Sequence, residues 1–239
     1  MRIEKSEFHD QLVRGLTHKM NNILSLFHGY LGLLIDDKKL DRDTMAGLLR
    51  IRDSADAASR LMDRTKALAT PGSAQWRQIA PEDFLRTLLP SLNLFADRGI
   101  RIQVDCDPGI APLWADTTRL RVAIKEIVKN ACEASPANGT VVISVKPHTR
   151  SVRARSRQAG QGPITWTAIT IADTGKGIPR ELNEKIFQPF FSTKSKLDSM
   201  GLGLSVALGL IQQLGGAIRL QSKPGKTAVK VLLPCRAAA

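Results

Sequence analysis

Three absences narrow this 239-residue sequence at once. Cysteine is scarce: Cys106, Cys132 and Cys235 are too few and too scattered for a disulfide framework or for metal-type spacing, which points to a reducing cytoplasm. Aromatic residues make up only 5%, so a core has to be built from Leu, Ile, Val and Ala. Long apolar runs are missing too. Stretches such as 31–35 and 206–211 fall far short of the roughly 18 residues that a membrane span needs. No charged-then-apolar leader opens the chain. Proline is absent before Pro71, which leaves the first 70 residues free to be helical. Acid is short relative to base, with 22 Asp and Glu against 35 Lys and Arg and a formal net charge of +13. The imbalance is local: residues 1–70 carry net +2 and the remainder net +11. A field of that sign favours an anionic partner, whether a nucleotide, a nucleic acid or an acidic protein surface.

What remains is 43% apolar and 24% charged, the composition of a globular chain, and its length suits one large domain or two modest ones. Residues 3–69 read as helix. Leu12, Leu16, Met20, Ile23, Phe27, Tyr30 and Leu34 recur at four- and three-residue steps, one apolar seam along a helix. A polar stretch at 36–41 interrupts the pattern. A second run follows through Leu48, Ile51, Ala55, Ala58, Met62, Thr65 and Leu68. Two long helices joined by a short turn form an antiparallel hairpin. A hairpin with a single seam cannot enclose a core, and a second copy would complete a four-helix bundle. The alternative is packing on the rest of the same chain.

Residues 70–73, Thr-Pro-Gly-Ser, end this region and open a linker taken as 71–78. Beyond it the periodicity changes. Strand-like segments at 100–105, 140–146, 165–172, 217–222 and 228–233 alternate with helical ones at 81–97, 117–134 and 203–213. That pattern predicts an α/β sandwich with a mostly antiparallel sheet over residues 79–235. Between two of the strands lies segment 148–162, with Arg150, Arg153, Arg155 and Arg157 and no apolar face to bury.

Four short motifs in this half bear on one chemistry. Glu126 and Asn130 are four apart on a predicted helix and so share a face; an Asn amide oxygen suits Mg²⁺, a hard ion. Asp173-Thr-Gly175-Lys-Gly177 follows an apolar strand. Its carboxylate can accept a hydrogen bond from an exocyclic amine, and its glycines let backbone approach a flat ring. An aromatic cluster, Phe187 to Phe191, leads into a polar stretch with Lys194. Gly201-Leu-Gly203 opens a helix whose N–H groups suit phosphate oxygens.

In this order and spacing the motifs resemble the ATP-binding domain shared by sensor histidine kinases, type II topoisomerases, Hsp90 chaperones and mismatch-repair ATPases. The resemblance covers residues 79–235. It implies that Asn130 coordinates Mg²⁺, that Asp173 contacts the adenine amino group, and that Gly175 and Gly177 shape the base pocket. It also implies that Gly201 and Gly203 cradle phosphates, and that 191–200 forms an ATP lid in which Lys194 meets a phosphate.

The first half selects the branch. Leu16-Thr17-His18-Lys19-Met20-Asn21-Asn22 resembles the phosphoacceptor box of histidine kinases. His18 lies two residues after Leu16, about 200° around the helix, and so points away from the seam. A neutral imidazole placed there can attack a γ-phosphorus. Asn22 is one turn further along the same face, where its amide could hold a water or a phosphoryl oxygen. His28 reads as structural. Lys19 stands where many family members carry Glu or Asp, and a cation cannot take up the imidazole proton. Glu126 departs from the subgroup with Asn at that position; it either activates water or orients the waters of Mg²⁺.

The expectation is therefore an α+β chain: a dimeric helical hairpin over 1–70 and an ATP-binding α/β sandwich over 79–235. Its function would be that of a cytoplasmic histidine kinase core that uses ATP and Mg²⁺ to phosphorylate His18. The phosphoryl group would then pass to an aspartate on a response-regulator receiver domain, with regulator dephosphorylation through Asn22 as a further activity. Nucleic acid is not the expected partner, although the basic segment 148–162 leaves it open. The start of the chain, so close to His18, leaves no room for a sensor domain, so the signal comes from a partner or from the rest of a longer polypeptide. The rival readings are a non-catalytic phosphotransfer or scaffold protein, and a gyrase- or Hsp90-like ATPase without a phosphohistidine.

Overall fold

A computed structural model describes residues 5–35, 40–69, 74–148, 165–193 and 201–235. Lys194 and nearly all of the Arg-rich segment lie outside these residues, as does most of the polar turn between the two N-terminal helices. The chain divides into two compact units, residues 1–72 with 190–202, and residues 73–189 with 203–239.

In the first unit, α1 (Lys5–Ile35) and α2 (Arg42–Ala69) form the expected hairpin. Asp41 caps α2. Its Oδ1 accepts from the N–H groups of Asp43 and Thr44 at 3.0 and 2.8 Å, and its Oδ2 accepts from the Thr44 hydroxyl at 2.7 Å. These bonds, that of the Thr44 hydroxyl first, hold its carboxyl below the ordinary value. The face of α1 turned to α2 carries Thr17, Leu24 and Leu31, all buried, at seven-residue spacing. His28 lies on that face too. Its Nε2 meets Asp56 Oδ1 of α2 at 2.6 Å and its Nδ1 meets the Leu24 carbonyl at 2.6 Å. The stripe read from the sequence lies elsewhere. Met20, Ile23, Phe27, Tyr30 and Leu34 are all exposed, as are Leu26 and Leu33. Each residue turns a helix by about 100°, so the two stripes, one residue apart, sit side by side, and only one can face α2. The side chains of Leu12 and Leu16 lie outside the described residues.

The second unit begins with β1 (Trp76–Ile79), three of whose four residues fall in the stretch read as linker, and continues with α3 (Pro81–Asn93), β2 (Arg101–Cys106), β3 (Leu113–Asp116) and α4 (Thr117–Ala134). Then come β4 (Thr140–His148), β5 (Thr165–Asp173), α5 (Gly203–Gln213), β6 (Ala217–Lys223) and β7 (Lys226–Cys235). The main sheet has the order β2-β4-β5-β7-β6, with one parallel pair, β2 with β4, and three antiparallel pairs. The mostly antiparallel sandwich expected from the pattern is thus borne out. Alternation aligns the inner face in rows across the ladders. One row is Val145, Ile169, Val231 and Ile218; the next is Ile143, Ile171, Val229 and Leu220. Against these pack Leu88 and Leu92 of α3, Leu120, Ile124 and Ile127 of α4, and Leu210 and Ile211 of α5, all fully buried. Each such side chain contributes about 1.5–3 kcal/mol.

Two details differ from the sequence reading. β1 and β3 form a separate two-stranded ladder, Trp76 opposite Asp116 through Ile79 opposite Leu113. And α3 stops at Asn93, short of residue 97. Phe95 and Ala96 donate to the carbonyls of Leu92 and Asn93 in tighter turns, and Arg98 and Gly99 then adopt positive φ (53° and 73°), which no helix continues.

Candidate functional site

The chemistry gathers along one face of α4 and at the end of the inner sheet face. Glu126, Asn130 and Ala134 follow at four-residue steps and so line a single face. The helix is held at its start by Asp116. One carboxylate oxygen accepts from the N–H groups of Thr118 and Arg119 at 2.9 and 3.1 Å, while the other accepts from Gln75 N–H at 3.0 Å, ahead of β1. Asn130 Nδ2 donates to the Glu126 carbonyl at 3.0 Å. That bond fixes the amide and turns Oδ1, the oxygen suited to a hard cation, to the other side.

The helix α5 begins against this pair. A Cβ at Gly203 would stand 2.8 Å from Glu126 Oε2 and 3.1 Å from Asn130 Nδ2. A side chain there would have to displace the pair. The N–H groups of the first turn of α5 have no acceptor within the helix, and a helix start of this kind suits an anion.

Asp173 closes the other end. Along β5 the inward positions Ile169 and Ile171 are apolar, and Asp173 takes the next one, 5% exposed. Its Oδ1 accepts from Gly175 N–H at 2.8 Å, and Thr227 N–H also hydrogen-bonds to it. Burial raises its carboxyl above the ordinary value, and the two N–H donors oppose that rise by favouring the anion. A buried carboxylate fixed by its own backbone can read an exocyclic amine with little reorganisation. Gly175 rests on the end of α4, where a Cβ would stand 2.6 Å from the Ala134 carbonyl oxygen. Gly177, at φ 83°, is pressed against the Lys223 carbonyl, a contact and a backbone conformation that together demand glycine.

Glu126, Asn130, Asp173, Gly175, Gly177 and Gly203 therefore belong to one unit; Gly203 and Gly175 rest on α4, and Gly177 rests on the end of β6. The sequence reading missed two polar residues beside them, Ser222 and Thr227. The signal was there: two hydroxyls five apart across Lys-Pro-Gly-Lys in otherwise alternating strands mark a cross-strand pair. Gly201 belongs to the first unit. It has φ 66°, and a Cβ would stand 2.5 Å from the Phe190 carbonyl carbon. His18, Lys19 and Asn22 are exposed on α1, with His18 and Asn22 on the same side. His28 has its imidazole held above the ordinary value, first by the Leu24 carbonyl and then by Asp56, so both ring nitrogens donate when it is charged.

The donor set fits a nucleotide triphosphate with its cation: an oriented amide oxygen, a helix N-terminus, a buried carboxylate and close-packed glycines. Residues 115–237 match the family described as histidine kinase-, DNA gyrase B-, and HSP90-like ATPase. The match covers just over half of the sequence, and the chain belongs to that family. Its curated relatives include the sensor kinase CckA of Brucella abortus, 27% identical over 232 residues, covering 97% of this chain and 25% of that protein. The sensor histidine kinase ZraS of Klebsiella oxytoca is 28% identical over 222 residues, covering 91% and 44%. The sensory histidine kinase/phosphatase NtrB of Vibrio alginolyticus is 30% identical over 226 residues, covering 93% and 61%. The chain thus spans a quarter to about three-fifths of the length of these relatives. Among solved structures, full-length ShkA in complex with AMPPNP shares the fold with a TM-score of 0.71 at 22% identity, covering 96% of this chain and 47% of that one. Acinetobacter baumannii AdeS shares it with a TM-score of 0.61 at 20% identity, covering 92% and 98%. Among the described residues, no helix is long and apolar enough to cross a membrane.

Proposed function

We propose that this chain is the catalytic core of a two-component histidine kinase, which transfers the γ-phosphoryl group of ATP to its own His18. The observation that carries this reading is the meeting of Glu126, Asn130, Gly203 and Gly175 along α4, beside the buried Asp173. The same chain presents an exposed histidine on a long hairpin. In this reading Asp173 accepts from the adenine amino group, and Gly175 and Gly177 form the floor under the ring. Asn130 Oδ1 holds Mg²⁺, and the start of α5 receives phosphate oxygens. Mg²⁺ offsets the charge on the phosphates when bound. The lone pair of the neutral His18 imidazole forms the new N–P bond, the bond from the γ-phosphorus to the bridging oxygen breaks, and ADP leaves with its electrons. No carboxylate follows His18, so its ring proton is released past Lys19 to water.

The phosphoryl group then passes to an aspartate on a response-regulator receiver domain, and Asn22 holds the water for the opposing dephosphorylation. The exposed stripe of Met20, Ile23, Phe27, Tyr30 and Leu34 supports a homodimer, since a second copy covers it in a four-helix bundle. The reaction belongs to the cytoplasm, where ATP is at hand. Incubation with γ-labelled ATP and Mg²⁺ tests the reading. The protein should carry a label that is acid-labile and base-stable, and that is absent from His18→Gln. Label retained in that variant would overturn the assignment.

A further inference from the structure

Asp173, Thr227 and Ser222 stand directly opposite one another on three neighbouring strands. They are the last row of the inner sheet face, and the only one of its three rows across β5, β7 and β6 that is polar throughout. Thr227 is buried and Ser222 half-buried. Their hydroxyls are 2.9 Å apart, and Ser222 Oγ also accepts from the Ile178 N–H at 2.8 Å. The turn 173–179 is thus held at both ends by the same row: Gly175 N–H on Asp173 Oδ1 at its start, Ile178 N–H on Ser222 Oγ at its end. Between those two bonds Gly177 lies flat on the Lys223 carbonyl, one residue beyond Ser222. The carboxylate that reads the base and the turn that forms its floor are therefore registered to each other through one hydroxyl.

We infer that Ser222 is a positioning residue for base recognition, fixing the floor of the pocket at the height where Asp173 meets the exocyclic amine of adenine. Ser222 acts through Ile178 and Thr227, the two groups its hydroxyl meets. The inference rests on the nucleotide reading of the site given above. Removing the Ser222 hydroxyl leaves the Ile178 N–H without its acceptor and the Thr227 hydroxyl without its neighbour. The turn is then free to move away from Asp173, and the contact most sensitive to that movement is the one to the amine.

The test is calorimetric binding of ADP and of IDP, whose base lacks the amine, to the intact chain. Ser222→Ala should weaken ADP about tenfold, the size expected for one unmade hydrogen bond. IDP should change much less, so that the preference for ADP narrows by a similar factor. Ser222→Thr keeps the hydroxyl and should restore both affinity and preference. Ser222→Val has the shape of Thr without the hydroxyl and should behave like Ser222→Ala. Equal losses for ADP and IDP, unchanged ADP binding in Ser222→Ala, or a Val variant matching the Thr variant would each overturn the positioning role. A wild-type chain that binds neither nucleotide would instead overturn the nucleotide reading itself, and this inference with it.

Discussion

The two units solve the burial problem differently. In the α/β unit a five-stranded sheet and three helices enclose a core whose large side chains include Leu88, Leu120, Ile124, Ile143, Ile171 and Leu210, all fully buried. In the hairpin the described buried apolar side chains are Leu24, Leu31 and Ala55, while Phe27, Tyr30, Leu33 and Leu34 are each more than half exposed. One unit encloses its large apolar side chains; the other leaves a stripe of them exposed. An exposed stripe of that length on a helix marks an interface. The division also separates the chemistry: the enclosed unit holds the oriented amide, the carboxylate and the helix N-terminus, and the open one holds the exposed imidazole.

Breaking the open unit should have the largest effect. Phe27→Glu with Tyr30→Glu puts two charges into the stripe and should raise the dimer dissociation constant by roughly a hundredfold or more. Sedimentation should then show a monomer at micromolar concentration where the parent chain is a dimer. Residues 75–239 alone should be monomeric and should melt cooperatively, which tests the claim that this unit encloses its own core. Breaking the enclosed unit at its site comes next. Asn130→Asp or Asp173→Ala should lower ATP use by roughly a hundredfold. Circular dichroism should stay close to that of the parent in both; melting should stay close in Asn130→Asp and fall in Asp173→Ala, which leaves the Gly175 and Thr227 N–H groups without their acceptor. A smaller loss is expected for Gly203→Ala. Its Cβ meets the far end of Glu126, which can swing away, and the Asn130 amide, which cannot without breaking its bond to the helix. Nucleotide affinity should fall about tenfold or less.

The smallest effect concerns pH and belongs to the hairpin alone. His28 bridges α1 to α2, and its imidazole is raised above 6.5 by the Leu24 carbonyl and Asp56. A raised basic group contributes stability that is fully present below 6.5 and is lost as pH rises through its folded value. Hairpin melting should therefore fall slightly from pH 6.5 upward in the parent, less in Asp56→Asn, which keeps the Leu24 carbonyl, and not at all in His28→Gln. A parallel decline in the parent and His28→Gln would remove His28 as the cause.

Most of the enclosed unit was legible because its signals are periodic. The strands show period-two alternation, and α4 and α5 begin and end where the sequence pattern does, at Thr117–Ala134 and Gly203–Gln213. The ladder of β1 with β3 was not legible. Trp76-Arg77-Gln78-Ile79 is four residues long, with three of them exposed, so no alternation announces it. In the hairpin the period was visible, but not which of two adjacent stripes faces the second helix; the His28–Asp56 bond across the pair settles that, and nothing local in either helix does. At the site, Glu126, Asn130 and Asp173 were singled out because spacing puts the first two on one helix face and the third after an apolar strand, and because the four motifs together resemble a known ATP-binding domain. Ser222 and Thr227 carried a local signal as a pair, but their place beside Asp173 needs the register across three strands, which sequence distance does not encode.

The most direct test of the whole account is a ³¹P NMR spectrum of the intact chain after incubation with ATP and Mg²⁺ under non-acidic conditions. A histidine kinase should give a phosphoramidate resonance that grows as ADP appears, is lost on acidification, and is missing from His18→Gln. Conversion of ATP to ADP and inorganic phosphate with no phosphoramidate signal, in a chain confirmed as folded and dimeric, would contradict the kinase reading and leave an ATPase in place of a histidine kinase.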